Sequence, residues 1–304
     1  MSAEPQETKP ASPAGAQLFD NIASSYEQST GSSTRAIARQ ILELQVFQNL
    51  FDVPHDAVVL DNACGTGIVA EEIISRCRRQ QSPSGGGGGG GAVPEIRAAD
   101  PVDKMVAACA AKFSSLGVTD RCSAAVMPGE RLTFADGTFS HSVTNMGLMF
   151  YTDAAVGARE LHRTLRPGGV AVVTTWAQLG QVDDILYPAQ RRVRPGAELI
   201  KMPIEPRWFD PAQVEACLRN DGGFADVKIE LRNAYYAAPT ADALGDQLLE
   251  LFGMFSKTWT EEEKASFGQA VRELTPNVAV PCTQVDGSSG YGVPVTAIVA
   301  ICTK

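Results

Sequence analysis

VVLDNACGTGIV, residues 58–69, runs from a short apolar stretch into an acid, Asp61, then through two glycines, Gly65 and Gly67, into a second apolar stretch. An apolar run of this length bounded by turn residues reads as a buried strand, and Ile68, Val69, Ile73, Ile74 and Cys77 then recur at helical spacing. Strand, tight turn and helix start form a ligand site when the turn residues are small. The backbone can then approach the ligand closely, and the N–H groups of the helix start favour negative charge. Two ligand types suit these glycines. Gly65-x-Gly67-x-x-Ala70 has the dinucleotide spacing. Asp61-x-Ala63-x-Gly65-x-Gly67 instead leads with a carboxylate and suits a ligand that brings a cationic amino group.

Working outward, the same alternation continues. Strands are expected at 57–60, 95–99, 122–126, 139–145 and 170–175, with helices between them. Gly117 ends one helix, and Pro167, Gly168 and Gly169 end another. This is an α/β chain with a mostly parallel, seven-stranded sheet, Rossmann-like, wrapped by helices on both faces. A strand is expected near 226–231, and the last, at 295–302 after Pro294, is taken as antiparallel. Ahead of the sheet, Ile37, Ile41, Leu44, Phe47 and Phe51 form one apolar stripe on one expected helix. Residues 1–15 read as a disordered tail and 16–304 as a single domain. Within it, 16–52 form a helical lid, 81–94 a glycine-rich flexible insertion, and 177–210 and 240–290 cap insertions.

Composition bounds the function. The 304 residues are 44% hydrophobic and 20% charged, with a net charge of −9. No basic cluster is denser than Arg191-Arg192-Val193-Arg194, so nucleic acid is an unsuitable partner. The seven cysteines include no CxxC pair and the three histidines no metal-like pair, so neither a disulfide framework nor a metal site is expected. The N-terminus has no apolar signal region and no stretch is long enough to span a bilayer, which implies a soluble, cytoplasmic protein.

Seven consecutive glycines, 85–91, are the most conspicuous glycine feature, but they feed the amino end of the second strand. Ligands in open α/β sheets bind at the carboxyl ends, so this run reads as a linker. The 61–67 turn lies at a carboxyl end. There Asp61 would repel a pyrophosphate and hold a cationic amino group. Asp100, at the end of the second strand, would bind ribose hydroxyls of either ligand.

Several segments now line up in order: FDNIASSYE at 19–27, VVLDNACGTG at 58–67, AADPVDKM at 98–105, ERLTFADGTFSHSVTN at 130–145 and ELHRTLRPGGVAVVTTW at 160–176. In these the chain resembles the class I S-adenosylmethionine-dependent methyltransferases, in particular the type 11, UbiE-like small-molecule group. The DNACG loop and the STGSSTR segment are most similar to fungal enzymes of specialised metabolism, including thiol S-methyltransferases of epidithiodiketopiperazine pathways.

The resemblance implies S-adenosyl-L-methionine as cofactor and S-adenosyl-L-homocysteine as its product. It assigns Asp61, Ala63, Gly65 and Gly67 to the methionine portion and Asp100 to the ribose. Pro101 and Met105 pack on adenine, Asn145 and Met146 lie beside the methionine portion, and Tyr26 and Thr30 close over its carboxylate. The chain departs from the family twice. Ala63 replaces the first glycine, which is tolerable with a negative φ. Met127-Pro128-Gly129 replaces the acid that meets the adenine amino group, leaving the Met127 carbonyl to accept it. The acceptor is a small molecule methylated on oxygen, nitrogen or sulfur. Tyr151, Trp176 and Trp208 are candidates to line its pocket, though Trp176 and Trp208 also read as packing. His141 reads as a satisfied buried histidine, and no residue presents itself as a catalytic base. The motif of adenine methylation is absent, since Asn145 is followed by Met-Gly-Leu. The oligomeric state, monomer or homodimer, stays open. Two other classes also stay open: a methyltransferase-like regulator or non-methylating enzyme, and an NAD(P)-dependent oxidoreductase.

Overall fold

The computed structural model describes residues 13–52, 57–80, 93–253, 255–256 and 258–304. Residues 1–12 of the expected tail and the glycine run therefore lie outside the described residues.

The centre of the molecule is one sheet in the order β3-β2-β1-β4-β5-β8-β6, with a short β7 paired to β8. Its strands are β1 (Val58–Asn62), β2 (Glu95–Asp100), β3 (Cys122–Val126), β4 (Phe139–Asn145), β5 (Leu165–Leu179), β6 (Asp226–Ala238), β7 (Val280–Thr283) and β8 (Ser289–Thr303). β1 to β5 pair in parallel, and β8 runs antiparallel to β5 and β6. The mostly parallel sheet with an antiparallel last strand is as expected. The additional β7 was missed because Val280-Pro-Cys-Thr283 is too short to alternate visibly. β8 begins six residues before the expected start. Pro294 lies inside it, opposite Tyr235 of β6 but beyond the end of β5, whose pairing starts at Val295, so its missing N–H breaks no bond to β5.

Helices α5 (Ile68–Gln80), α6 (Asp103–Ser115) and α7 (Ala154–Thr164) connect the parallel strands. The chain steps from β1 to β2 and β3 on one side, then returns to place β4 on the other. The crevice over the β1 and β4 carboxyl ends is the topological switch point, where open α/β sheets bind ligands.

The segment expected as a lid comprises α1 (Pro13–Ile22), α2 (Tyr26–Ser29), α3 (Ser33–Leu42) and α4 (Asn49–Asp52). α1 begins inside the segment read as a tail. The apolar stripe from Ile37 to Phe51 is buried, but not on one helix: α3 stops at Leu42, and a 3-10 turn at Gln45–Phe47 leads to α4. Arg35 ties the lid to the core. Its guanidinium donates to Glu27, to Glu71 at 2.6 Å and to Glu72 at 2.6 Å, so one cation serves three carboxylates. A small apolar cluster of Ile22, Val102 and Met105 seats α1 on the start of α6.

Beyond β5, a π-helical turn at Gln181–Leu186 precedes α8 (Tyr187–Val193), and a 3-10 turn at Pro206–Phe209 precedes α9 (Pro211–Ala216). The expected cap insertion at 240–290 holds two helices, α10 (Ala241–Gly253) and α11 (Glu261–Val278). Thr260 and Glu263 form a capping box that starts the second. Among the described residues, no helix is long and apolar enough to cross a membrane.

Candidate functional site

Strand register brings the site together. β1 and β2 end side by side, Asn62 opposite Ala99, and β4 and β5 pair at Asn145 and Thr174. A cavity of about 700 Å³, counting its open mouth, lies over these ends. Tyr26, Ala63, Gly65, Asp100, Pro101, Met105, Asn145 and Met146 line it, all named from the sequence.

Asp100 organises the cavity floor. Its Oδ2 accepts the Gly65 N–H at 2.9 Å and its Oδ1 accepts the Val102 N–H at 2.9 Å, so one carboxylate couples the glycine turn to the loop after β2. Burial pushes its pKa up to about 6 against the opposing effect of those two bonds. The glycine turn packs on α6 from the other side. A Cβ on Gly67, whose φ is +78°, would stand 2.6 Å from the Cys109 sulfur. Gly65 is different. Its φ is +51°, and a Cβ there would come no nearer than 4.0 Å to Tyr26 and Met105, so its face opens into the cavity. Gly67 serves packing, therefore, and Gly65 leaves room for a ligand.

Ala63 overturns its expectation. Its φ is +55°, left-handed, a conformation that costs an L-residue with a Cβ about 1–2 kcal/mol. Met146 across the cavity is also left-handed, with φ +61°. Two such residues facing one cavity mark a backbone held in place by its surroundings. The holding groups are visible at Met146, whose N–H donates to Thr174 Oγ1 at 2.9 Å. The Thr174 hydroxyl donates to Asn145 Oδ1 at 2.9 Å, and Asn145 Nδ2 donates to the Thr34 carbonyl of the lid at 3.1 Å. Asn145 thus bridges sheet and lid.

The structure puts other named residues elsewhere. Asp61 is buried one layer deeper, lining a smaller recess with Tyr26, Thr34 and Asn145, and its Oδ2 accepts the Ala70 N–H at 3.2 Å. Burial is the main cause that raises its pKa to about 7, with the Asp100 charge adding to it. The Thr30 hydroxyl is spent on the Tyr26 and Glu27 carbonyls at 3.0 and 3.2 Å, closing the end of α2, and lines neither cavity. The Met127 N–H donates to the Asp100 carbonyl and its sulfur accepts the Thr133 N–H, so Met127 packs outside the cavity wall. Trp176 is buried in β5, and Trp208 is buried with Arg207 over its ring at 4.9 Å; both are packing residues outside the cavity. His141 is satisfied as expected but only partly buried: its ring nitrogens meet Val46 O and Ser140 Oγ, and Phe47 stacks on it.

The sequence reading missed Phe19, Val102, Gly129, Glu130, Gly147 and Phe150, which complete the lining. Phe19 lies in the quoted FDNIASSYE stretch, where its aromatic character was the available signal. In the structure it meets Phe150 edge to face at 4.9 Å and closes the lid across the opening. Phe150 and Gly129 carried no such signal, since their positions depend on loops that meet only in the fold.

Phe150 and Tyr151 are shared with a second, larger space. This groove, about 1870 Å³ with its open side, runs between the end of β5, the 181–187 turn and residues 201–209. Met149, Leu179, Val182, Met202, Ile204 and Phe209 make it mainly apolar, with Asp183, Tyr187, Lys201 and Glu205 also on its walls. Tyr151 thus faces a groove as well as the cavity, whereas helices α10 and α11 of the expected cap insertion do not line it.

The chemistry of the walls separates the two ligand types. Among the described residues, those lining the cavity include the acids Asp100 and Glu130 and no lysine or arginine, with Asp61 behind them. A pyrophosphate would meet uncompensated like charge there, whereas a cationic sulfonium and amino group would meet complementary charge. The open face of Gly65, the Asp100 carboxylate and the apolar surface of Pro101 and Met105 line one cavity, and a donor such as S-adenosylmethionine brings groups of matching character. Among the described residues, no group of three His, Cys, Asp or Glu side chains could hold a metal ion.

Comparison with known proteins points the same way. A family model described as the ubiE/COQ5 methyltransferase family matches residues 7–183. The ubiquinone/menaquinone biosynthesis C-methyltransferase UbiE of Geotalea uraniireducens is 31% identical over 157 residues, covering 52% of this chain and 60% of that protein. The UbiE of Geotalea daltonii is 28% identical with the same coverage. The chain thus spans about 60% of the length of these curated relatives. Among solved structures, the 4+2 cyclase SpnF superposes with a TM-score of 0.54 at 15% identity, covering 97% of both chains, a likeness of fold.

Proposed function

We propose that this chain, which belongs to the ubiE/COQ5 methyltransferase family, moves the methyl group of S-adenosylmethionine onto a small-molecule acceptor seated in the groove beyond Phe150 and Tyr151. The observation that carries the reading is the pairing of an acid-walled, cation-free cavity with an adjoining apolar groove across two shared aromatic residues.

The bound donor supplies a methyl group already activated by its sulfonium charge. What remains for the protein is position and exclusion of water. Asp100 holds the ribose, Tyr26 and Asn145 hold the amino-acid end, and Asp61 supplies negative charge behind it. Phe19 and Phe150 close the lid side against water. The groove must bring the acceptor atom to roughly 3–3.5 Å from the methyl carbon, in line with the bond that breaks. Oxygen, nitrogen and sulfur acceptors all fit this demand. The carbon methylation named for the curated relatives adds carbon as a fourth class. An acceptor from specialised metabolism is supported by the DNACG loop, and small-molecule rather than nucleic-acid chemistry by the net charge of −9.

Ligand-induced stabilisation and calorimetry test the reading. S-adenosylhomocysteine at 100 times its dissociation constant should raise stability by about 2.7 kcal/mol, and NAD(P) should give no shift. Labelled-methyl transfer to thiols, phenols, amines and activated carbon acids then identifies the acceptor atom. Binding of NAD(P) in place of S-adenosylhomocysteine overturns the proposal. Donor binding with no transfer to any acceptor class would leave a methyltransferase-like protein that does other work.

A further inference from the structure

We propose that the acceptor carries a cationic amine, which the groove seats beside the Asp183 carboxylate and the Tyr187 ring. The apolar body of the acceptor then reaches back toward Phe150 and Tyr151, where groove and cavity meet. The inference rests on the acceptor groove proposed above and names the chemical class of its occupant.

Charge on the groove walls is unevenly spent. Lys201 is paired with Glu198 at 2.8 Å, and Glu205 with Arg207 at 2.8 Å. Asp183 has no such partner. Burial, then the charge of Asp184, hold its pKa above the ordinary value, and among the described residues no hydrogen bond or cation offsets them. Apolar surroundings and a like charge both disfavour an ionised carboxylate, and a cation arriving in the groove relieves both. Asp184 itself does not line the groove, so Asp183 alone presents that charge to an occupant.

Local structure sets an aromatic ring beside this carboxylate. The π-helical turn Gln181–Leu186 runs directly into α8, which starts at Tyr187. Ile185 and Leu186 are buried and fix the turn to the core. Tyr187 follows Asp183 by four residues, about one turn, and both line the groove. Their proximity shows in the Tyr187 pKa, which burial raises first and the Asp183 charge second. Both side chains can be reached from the groove, since Asp183 is exposed and Tyr187 half-buried. A carboxylate supplies charge-assisted hydrogen bonds to an ammonium group, and a ring beside it supplies cation–π attraction. An anionic acceptor would instead meet Asp183 as an uncompensated like charge. A protonated amine has no lone pair with which to attack a methyl group. The ammonium is therefore an anchor, and the methylated atom lies at the other end of the acceptor, near Phe150 and Tyr151.

The test is calorimetric titration of the full-length protein, saturated with S-adenosylhomocysteine, with phenylbutylamine, phenylbutanol and phenylbutyrate. The three probes share one apolar body and differ in the head group. Bound S-adenosylhomocysteine keeps the amine out of the acid-walled donor cavity. Wild type should bind the amine about tenfold more tightly than the alcohol, and the carboxylate more weakly than either. Asp183→Asn should weaken the amine about tenfold and leave the alcohol within about twofold of wild type. Tyr187→Leu should weaken the amine about threefold more than the alcohol. Asp184→Asn, outside the groove, should keep the preference for the amine. Equal affinity for amine and alcohol, a preference for the carboxylate, or an amine preference that survives Asp183→Asn overturns the proposal. So does its loss in Asp184→Asn, which would make the selection a general field and not a contact. Binding of S-adenosylhomocysteine but of none of the probes overturns the acceptor groove, and this inference with it. Failure of S-adenosylhomocysteine to bind overturns the donor reading.

Discussion

The proposed donor cavity and the proposed acceptor groove meet at Phe150 and Tyr151, yet they are built by opposite means. The cavity is a construction of backbone and buried charge. Ala63 and Met146 stand in left-handed conformations, and Asp100 pins two loops with one carboxylate. The groove is a construction of apolar side chains, gathered from the end of β5, the 181–187 turn and residues 201–209. Hydrogen bonds from fixed strand ends tolerate little displacement. Apolar walls tolerate exchange so long as volume is kept. A protein of this design can change its acceptor by relining the groove while its donor site stays as it is.

The sharpest way to break that comparison is at Asp100. Asp100→Ala removes two hydrogen bonds to a buried carboxylate as well as the proposed ribose contact. It should weaken S-adenosylhomocysteine binding by about 100-fold or more in calorimetry. Shortening the seven-glycine run to three should leave the affinity unchanged. Equal losses in both variants would mean that the donor lies elsewhere.

The groove should respond separately. Phe209→Ala removes one apolar wall, worth about 1–3 kcal/mol of acceptor contact, or roughly 10- to 100-fold in kcat/KM. S-adenosylhomocysteine affinity should stay within about twofold of wild type. A parallel fall in donor affinity would show that the two spaces are energetically one.

Buried carboxylates in and behind the cavity give it a pH signature of its own. Asp61 and Asp100 are raised to about 7 and about 6, so the folded protein holds these protons to a higher pH than the unfolded chain does. Their burial therefore costs stability, and the cost from Asp61 grows as pH rises from its ordinary value of 3.8 to about 7 and then levels off. A cationic amino group favours the ionised carboxylate and so must displace the proton. S-adenosylhomocysteine affinity should fall by about tenfold per pH unit as pH drops below 7. Asp61→Asn should flatten the slope between pH 8 and 6 in calorimetry. An unchanged slope in that variant would remove Asp61 from the site.

The smallest effect is expected at Ala63. Ala63→Gly relieves a left-handed alanine at the cost of a more flexible unfolded chain, and should stabilise the protein by up to about 1 kcal/mol in thermal unfolding. Loss of stability instead would show that the Ala63 methyl group, which packs over Gly147, outweighs the strain.

Legibility in the sequence follows the same division. Gly65 and Asp100 could be picked out because each sits at a turn or strand end over the sheet's carboxyl edge, whereas Tyr26 and Asn145 were reached through the family resemblance. Thr30, Met127, Trp176 and Trp208 could not be placed by the same means. A hydroxyl near a helix end serves a carbonyl as readily as a ligand, and a large aromatic packs as readily as it lines a pocket. Asp61 was expected to face the same pocket as the glycines; its depth, and its bond to the start of α5, depend on how the turn folds back. Ala63 was expected at negative φ because residue type alone argues against the left-handed region. The packing around the turn overrides that preference.

By itself the sequence determined the alternation of strands and helices, the acid-led glycine turn and the kinship with methyl-transferring enzymes. These are properties of neighbours along the chain, where spacing translates directly into geometry. Only the tertiary structure decided that Gly129 and Gly157 make room for Tyr151, that Phe19 closes on Phe150, and that segments near 150, 180 and 205 enclose one groove. Those contacts join residues far apart in the chain. Their energies come from packing and burial, which no local pattern records.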